Sequence, residues 1–297
     1  MRMTQERWLT TGEAAELMRM RPRTLYHLVQ KGLVPHARAH GRLLFDPAQL
    51  HAWLASRSAG TPDPGGAEPP ATIAGSHDPL LERAVRDSGS GLALATVGSL
   101  EGLGRFAARG ACAALLHVPD SAGDGFNGEV VRQRFGRMPV VCLHWARREQ
   151  GLIVAAGNPL GIGSLADLAR RRHRLVLRQP GAGSQLLLAK MLREAGIDAA
   201  RLRGRAALAS TETEVAETVK AGLADAGFGI RAAAHRDDLG FVPLAWESAD
   251  LVVWRRSVFE PPMQALLAFT RTRAFARHAR ALTGYDVAGC GSVLFNA

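Results

Sequence analysis

Thirteen residues, Ser58-Ala59-Gly60-Thr61-Pro62-Asp63-Pro64-Gly65-Gly66-Ala67-Glu68-Pro69-Pro70, constrain this chain more than any other feature. They show no apolar periodicity. Proline withholds a backbone donor and blocks helix, and glycine costs backbone entropy, so the stretch cannot bury a core and reads as a linker. The expected division is a small domain over 1–58, a linker over 59–71 and a large domain over 72–297. Neither part approaches the roughly 18 uninterrupted apolar residues of a membrane span. The opening Met1-Arg2-Met3-Thr4-Gln5-Glu6-Arg7-Trp8 has no apolar core of the signal-peptide kind, so the expectation is a cytoplasmic protein with no membrane partner. Cys112, Cys142 and Cys290 are odd in number and widely spaced, which fits buried small hydrophobes in a reducing compartment.

The net charge is +10, and its distribution matters more than its size. Residues 1–58 hold nine basic side chains (Arg2, Arg7, Arg19, Arg21, Arg23, Lys31, Arg38, Arg42, Arg57) against four acidic ones (Glu6, Glu13, Glu16, Asp46). Ala14, Leu17 and Met18 fall at i, i+3, i+4 and predict a first helix. Thr11 is expected to cap it without a full capping box, because Ala14 stands three residues on. Pro22 suits the first turn of a second helix over Pro22–Lys31, which turns Leu25, Leu28 and Val29 inward and ends at Gly32. Its outer face carries Arg23, Thr24, Tyr26, His27 and Gln30, donors to phosphates and base edges. A short hairpin over His36–Phe45, turning near His40-Gly41, then presents basic groups at its tip. Asp46-Pro47 opens a last helix with Leu50, Trp53 and Leu54 inward. The DNA-contacting set is therefore Arg21, Arg23, Thr24, Tyr26, His27, Arg38, His40 and Arg42. So small a module binds weakly alone, and a homodimer on paired half-sites of double-stranded DNA is expected.

In the large domain strand-like runs alternate with helical ones. Strands are expected at Gly91–Val97, Ala113–Val118, Val140–Ala146, Gly151–Ala155, Arg174–Arg178, Ala224–Ile230, Phe241–Leu244 and Leu251–Trp254. Helices are expected from Ser99, after Phe126, and over Leu165–Arg171, Ser184–Ala195 and Thr211–Ala221. Such alternation argues for an α/β fold with mainly parallel sheets. Four segments place small polar residues between a strand and a helix: Gly75-Ser76-His77-Asp78-Pro79, Val97-Gly98-Ser99, Pro180-Gly181-Ala182-Gly183-Ser184 and Ser210-Thr211-Glu212. Each helix start offers unpaired N–H groups and a partial positive charge to an anion, although each Ser or Thr also serves as an ordinary cap. An enzyme is not expected. Ser99 and Ser184 lack a nucleophile elbow with partners, Gly181-Ala182-Gly183 is not a dinucleotide loop, and His117 and His144 read as core histidines on apolar strands.

Two family resemblances complete the reading. Leu9-Thr10-Thr11-Gly12-Glu13-Ala14-Ala15, Arg23-Thr24-Leu25-Tyr26, Gly32-Leu33-Val34-Pro35 and Leu50-His51-Ala52-Trp53-Leu54 resemble the excisionase/MerR-like winged helix-turn-helix. Gly75–Leu81, Val97–Leu103, Ala146–Leu152 with Gly157-Asn158-Pro159, Arg178–Ser184, Ala224–Ala234 and Gly284-Tyr285-Asp286 resemble the molybdate-binding type of periplasmic-binding-protein-like domain found in helix-turn-helix regulators. The second resemblance implies a type II fold of two lobes, about 72–149 with 247–297 and about 150–246. The chain would cross near residue 150 and return near 247. It implies a transcription regulator with molybdate or tungstate as effector rather than a cofactor, held by the hydroxyls of Ser76, Ser99, Ser184 and Thr211. Arg178, at a strand end, is either a direct charge contact or structural, and His77 either touches the anion or packs beside the cap. Phe228 and Phe126 stand where related molybdate binders lead one to expect tyrosine, which leaves an organic acid as the rival effector. An architectural DNA-bending protein would have no use for so large a second domain.

Overall fold

The computed structural model describes residues 8–18, 20–32, 34–39, 41–47, 49–50, 53, 68–171, 173–204 and 208–297, and the chain forms two compact units, Met1–Gly65 and Gly66–Ala297. In the first, helix α1 (Thr11–Leu17) is capped by Thr10 rather than Thr11. Thr10 Oγ1 accepts from the Glu13 amide at 3.4 Å, and Glu13 accepts from the Thr10 amide at 2.8 Å. This is a full capping box; counting from Thr11 hid it by one residue. Helix α2 (Pro22–Gln30) starts on Pro22, one residue shorter than expected, and Gly32 follows at φ +66°, the left-handed conformation open to glycine. Strands β1 (Ala37–Ala39) and β2 (Arg42–Leu44) pair antiparallel. Ala14, Ala15, Met18, Leu25, Val29, Val34, Leu43, Phe45 and Leu50 form the core, with Leu28 and Trp53 packed against it. Residues of the last helix that are described, Pro47, Gln49, Leu50 and Trp53, are helical.

The second unit runs β3 (Thr72–Gly75), α3 (Pro79–Asp87), β4 (Ala93–Thr96), α4 (Ser99–Ala107), β5 (Ala113–Leu116), α5 (Gly128–Phe135), β6 (Val140–Val154), α6 (Leu165–Arg171), β7 (Arg174–Val176), α7 (Gly183–Glu194), β8 (Arg203–Gly204), α8 (Glu212–Lys220), β9 (Ala226–Ile230), α9 (Arg231–Arg236), β10 (Gly240–Trp254), α10 (Arg255–Val258), α11 (Pro261–Thr270), α12 (Arg273–Leu282), β11 (Tyr285–Asp286) and β12 (Val293–Asn296). Among the described residues these strands form one mixed sheet in the order β4-β3-β5-β10-β6-β9-β7-β8, with β11 and β12 added to β6. Each flank is parallel, β4-β3-β5 and β9-β7-β8, but the centre is antiparallel. The expectation of mainly parallel pairing therefore holds at the flanks only.

The central strands also correct the expected boundaries. Val140–Ala146 and Gly151–Ala155 are one strand of 15 residues, and Phe241–Leu244 and Leu251–Trp254 belong to another of the same length. The polar run Arg147-Arg148-Glu149-Gln150 looked like a break. It stays in the strand because alternate side chains, Arg148 and Gln150, are fully buried while Arg147 is exposed, the period of two of an extended chain. Helices cover both faces of each sheet half, with separate cores under α3, α11 and α12, under α4 and α5, under α6 and α7, and under α8 and α9. Helices α11 and α12 were not anticipated. The paired strands β6 and β10 thus join a first half, residues on the β5 side, to a second half on the β9 side. Cys112 and Cys142 are buried and Cys290 is partly so; burial pushes the last two thiols up to about 12.

Candidate functional site

Three of the four polar helix starts converge where the two halves meet. Ser76 follows β3, and Ser99 is the first residue of α4; their hydroxyls lie 2.7 Å apart. Ser99 Oγ also accepts from the His117 amide at 3.4 Å. Across the junction, the start of α7 lies against the same point. A Cβ on Gly183 would stand 2.5 Å from the His117 carbonyl oxygen and 2.6 Å from its ring. Leu100 N–H donates to Gly181 O at 3.2 Å, and Lys190 of α7 donates to the carbonyls of Asp120 and Gly123. Ser99 and Ser184 are completely buried, and Ser184 Oγ has no protein partner. A buried hydroxyl without a partner is costly, and here it sits in the first turn of a helix whose N–H groups favour an anion.

Arg178, Thr211 and His77 are placed differently from the serines. Arg178 is buried, but its nitrogens are engaged: Glu212 Oε1 at 2.8 Å, Ser210 O at 3.1 Å and Gln179 Oε1 at 3.3 Å. It follows β7 and joins that end of the sheet to the start of α8. Thr211 caps α8, accepting from the Glu214 amide at 3.0 Å. His77 turns Nε2 to Glu82 at 3.3 Å, while its carbonyl faces Arg148 at 3.4 Å. The hydrogen bond from His77 draws the Glu82 carboxyl below its ordinary value.

Beneath these residues lies a buried ionic cluster that sequence reasoning missed. Arg148 pairs with Asp78 at 2.9 Å and with Glu247 at 2.5 Å, and Glu247 also meets His117 Nδ1 at 2.7 Å. All four side chains are at most 2 % exposed. Asp78 further receives Leu81 N–H, the Trp145 indole and the Tyr285 hydroxyl. Burial alone would raise the Glu247 carboxyl; Arg148 and His117 beside it hold it at about 2. Burial disfavours the Arg148 guanidinium, but Glu247 and Asp78 carry it well above its ordinary value. His117 is therefore a satisfied core histidine, as is His144, 2.9 Å from Asp250. The signal available in the sequence was the charged run at 147–149 inside an apolar strand, which demands buried counter-charges. Phe228 packs in the core under α6 and α7, so its missing hydroxyl is a property of that core.

In the first unit, Arg21, Arg23, Thr24, Tyr26 and His27 are exposed along α2, and Arg38 and Arg42 are exposed on the hairpin. Arg23, Tyr26, His27 and Gln30 follow the i, i+3, i+4, i+7 spacing of one helix face. His40 lies outside the described residues. No helix among the described residues is long and apolar enough to cross a membrane.

The uncharacterized protein YvgK of Bacillus subtilis (strain 168) is 27% identical over 305 residues, covering 96% of this chain and 97% of that protein. A phosphate ABC transporter substrate-binding protein with bound phosphate from Clostridium perfringens is similar in fold, with a TM-score of 0.54 at 12% identity, covering 71% of this chain and 96% of that one. So is the effector binding domain of QuiR in complex with shikimate, with a TM-score of 0.50 at 12% identity, covering 70% and 97%. A helix-turn-helix domain matches residues 8–58. The PBP superfamily domain matches residues 81–271, more than half of the sequence, and the chain belongs to that superfamily.

Proposed function

We propose that this protein is a DNA-binding transcription regulator whose second unit binds a small oxyanion between its halves and passes their closure to the helix-turn-helix unit. One observation carries the reading: buried serines at helix starts in both halves, Ser76, Ser99 and Ser184, meet at one junction. Neutral hydroxyls and helix-start N–H groups hold an anion without a lysine or arginine in direct contact. Thr211 and Arg178 stand behind them as cap and brace, and His77 borders Ser76. Molybdate and tungstate enter through the motif resemblance. An organic acid is the second reading, favoured by the buried Phe228, which offers no hydroxyl where related molybdate binders lead one to expect tyrosine.

Regulation requires the effector to bind the open and closed halves unequally. The long strands β6 and β10 are the two connections through which the halves would move. Two copies on paired half-sites would supply the DNA affinity that one small module lacks.

A thermal-shift panel of molybdate, tungstate, sulfate, phosphate and several carboxylates tests the effector class. An anion at 100 times its dissociation constant should stabilise the fold by about 2.7 kcal/mol. A response to none of them would remove the anion reading. For the other unit, Arg23→Ala is expected to weaken binding to DNA fragments selected with the wild type by about tenfold, on the order of 1.4 kcal/mol. It should leave the anion response intact. Unchanged DNA affinity would mean that α2 does not face the groove.

A further inference from the structure

Glu212 is hard to reconcile with a ligand that only accepts hydrogen bonds. Its side chain is 2 % exposed, in the first turn of α8. Oε1 pairs with Arg178, while Oε2 is buried without a partner. Gly229 of β9 leaves the space beside it: a Cβ there would stand 2.8 Å from Oε2. The charge of Glu212 is also felt by Arg148 at the strand crossing. Ser184 Oγ, also unpartnered, lies in the first turn of α7, and Arg178 links the two helix starts: its amide donates to Gln185 Oε1 at 3.1 Å and its guanidinium to Glu212. Of the buried polar atoms without a hydrogen-bond partner among the described residues here, which include both ends of the Gln150 amide, Ser184 Oγ can donate and Glu212 Oε2, on a carboxylate, only accepts. A fully ionised tetrahedral dianion satisfies the serine and is repelled by the carboxylate.

From this we infer that the effector carries at least one O–H donor beside its anionic oxygens, and that Glu212 Oε2 selects for it. This rests on the anion-binding reading above and narrows it. Two kinds of molecule share the chemistry: a protonated phosphate and a hydroxycarboxylate. Molybdate, tungstate and sulfate lack the proton at neutral pH.

The test is calorimetric titration of the full chain near pH 7 with matched pairs that differ in one O–H: phosphate against sulfate, and lactate against propionate, with molybdate as a further tetrahedral dianion. At least one O–H-bearing member should bind roughly 100-fold or more tighter than its match, because a buried acceptor left unpaired rejects the analogue. Phosphate preferred over sulfate identifies the first kind, and lactate preferred over propionate the second. Glu212→Gln, which supplies an N–H at the same place, should narrow the winning ratio to within about tenfold. Ser184→Ala should weaken both members alike and leave the ratio standing. Sulfate or molybdate binding as tightly as phosphate, with propionate equal to lactate, overturns the selection by Glu212 and keeps the anion site. Failure of every probe to bind overturns both, and the wild-type ratios decide the matter even if Glu212→Gln does not fold.

Discussion

Replacing Arg148 with methionine is expected to remove about 3–5 kcal/mol from the folding stability of the second unit. The side chain is fully buried on β6, opposite Glu247 in the register with β10, and it bridges Glu247 and Asp78. Removing it leaves two carboxylates in a low-dielectric interior with their principal counter-charge gone. His117 still meets Glu247, and Trp145 and Tyr285 still reach Asp78. These neighbours keep the loss within the stated range instead of abolishing the fold. Against a typical total of about 5–15 kcal/mol the change is large, and urea unfolding at neutral pH measures it. Arg105→Ala is the control, since Arg105 pairs with Glu101 on an exposed helix face, where such pairs contribute at most about 0.5 kcal/mol. Adding Glu247→Gln to Arg148→Met should recover part of the loss, because the second change removes one stranded charge. A loss below about 1 kcal/mol for Arg148→Met would mean that the cluster is not an energetic tie between the joining strands and the first half.

How far the sequence could be read depended on whether a residue's role was local. Capping, turn and helix-face signals are local, so α2, the hairpin and α6 were placed to within a residue or two. The one-residue error at Thr10 came from testing one candidate cap. The long strands failed for a different reason. Apolar alternation marks a strand only where both neighbours are apolar, and Arg148 and Gln150 occupy the point where β6 passes between two cores. The partners of Arg148 lie 70 residues before, at Asp78, and 99 residues after, at Glu247. No window along the chain joins them. The polar helix starts were visible as sequence patterns, but only the fold separates their roles: Thr211 spends its hydroxyl on the Glu214 amide, while Ser184 keeps its own unpartnered. Glu212 stands at the end of the Ser210-Thr211-Glu212 pattern. The room for its open oxygen comes from Gly229, 17 residues away along the chain, where a Cβ would stand 2.8 Å from Oε2.

The largest effect on sensing is expected from a single methyl group. Gly183→Ala would place a Cβ 2.5 Å from the His117 carbonyl oxygen and 2.6 Å from its ring, well inside van der Waals contact. The ring cannot swing aside without breaking its 2.7 Å contact with Glu247, and the carbonyl is backbone. Gly183 starts α7 with no positive φ, so alanine suits its conformation and the second half should fold as before. What the methyl group opposes is the approach of the halves. If effector binding draws them together, the variant must bind more weakly while remaining as stable as the wild type in the absence of effector. A tenfold loss would cut the stabilisation measured at 100 wild-type dissociation constants from about 2.7 to about 1.4 kcal/mol. The probe is whichever anion of the panel stabilises the wild type most. Gly104→Ala supplies the comparison: it lies in α4 with nothing within 4 Å of the added Cβ, and its anion response should match the wild type. Linkage then fixes the DNA side. An effector changes operator affinity only by the ratio of its affinities for the two states, so a tenfold loss in the closed state should cut the anion-dependent change in DNA binding by up to tenfold in Gly183→Ala while anion-free DNA binding persists. Full anion stabilisation in that variant would show that binding does not require the halves to meet at His117.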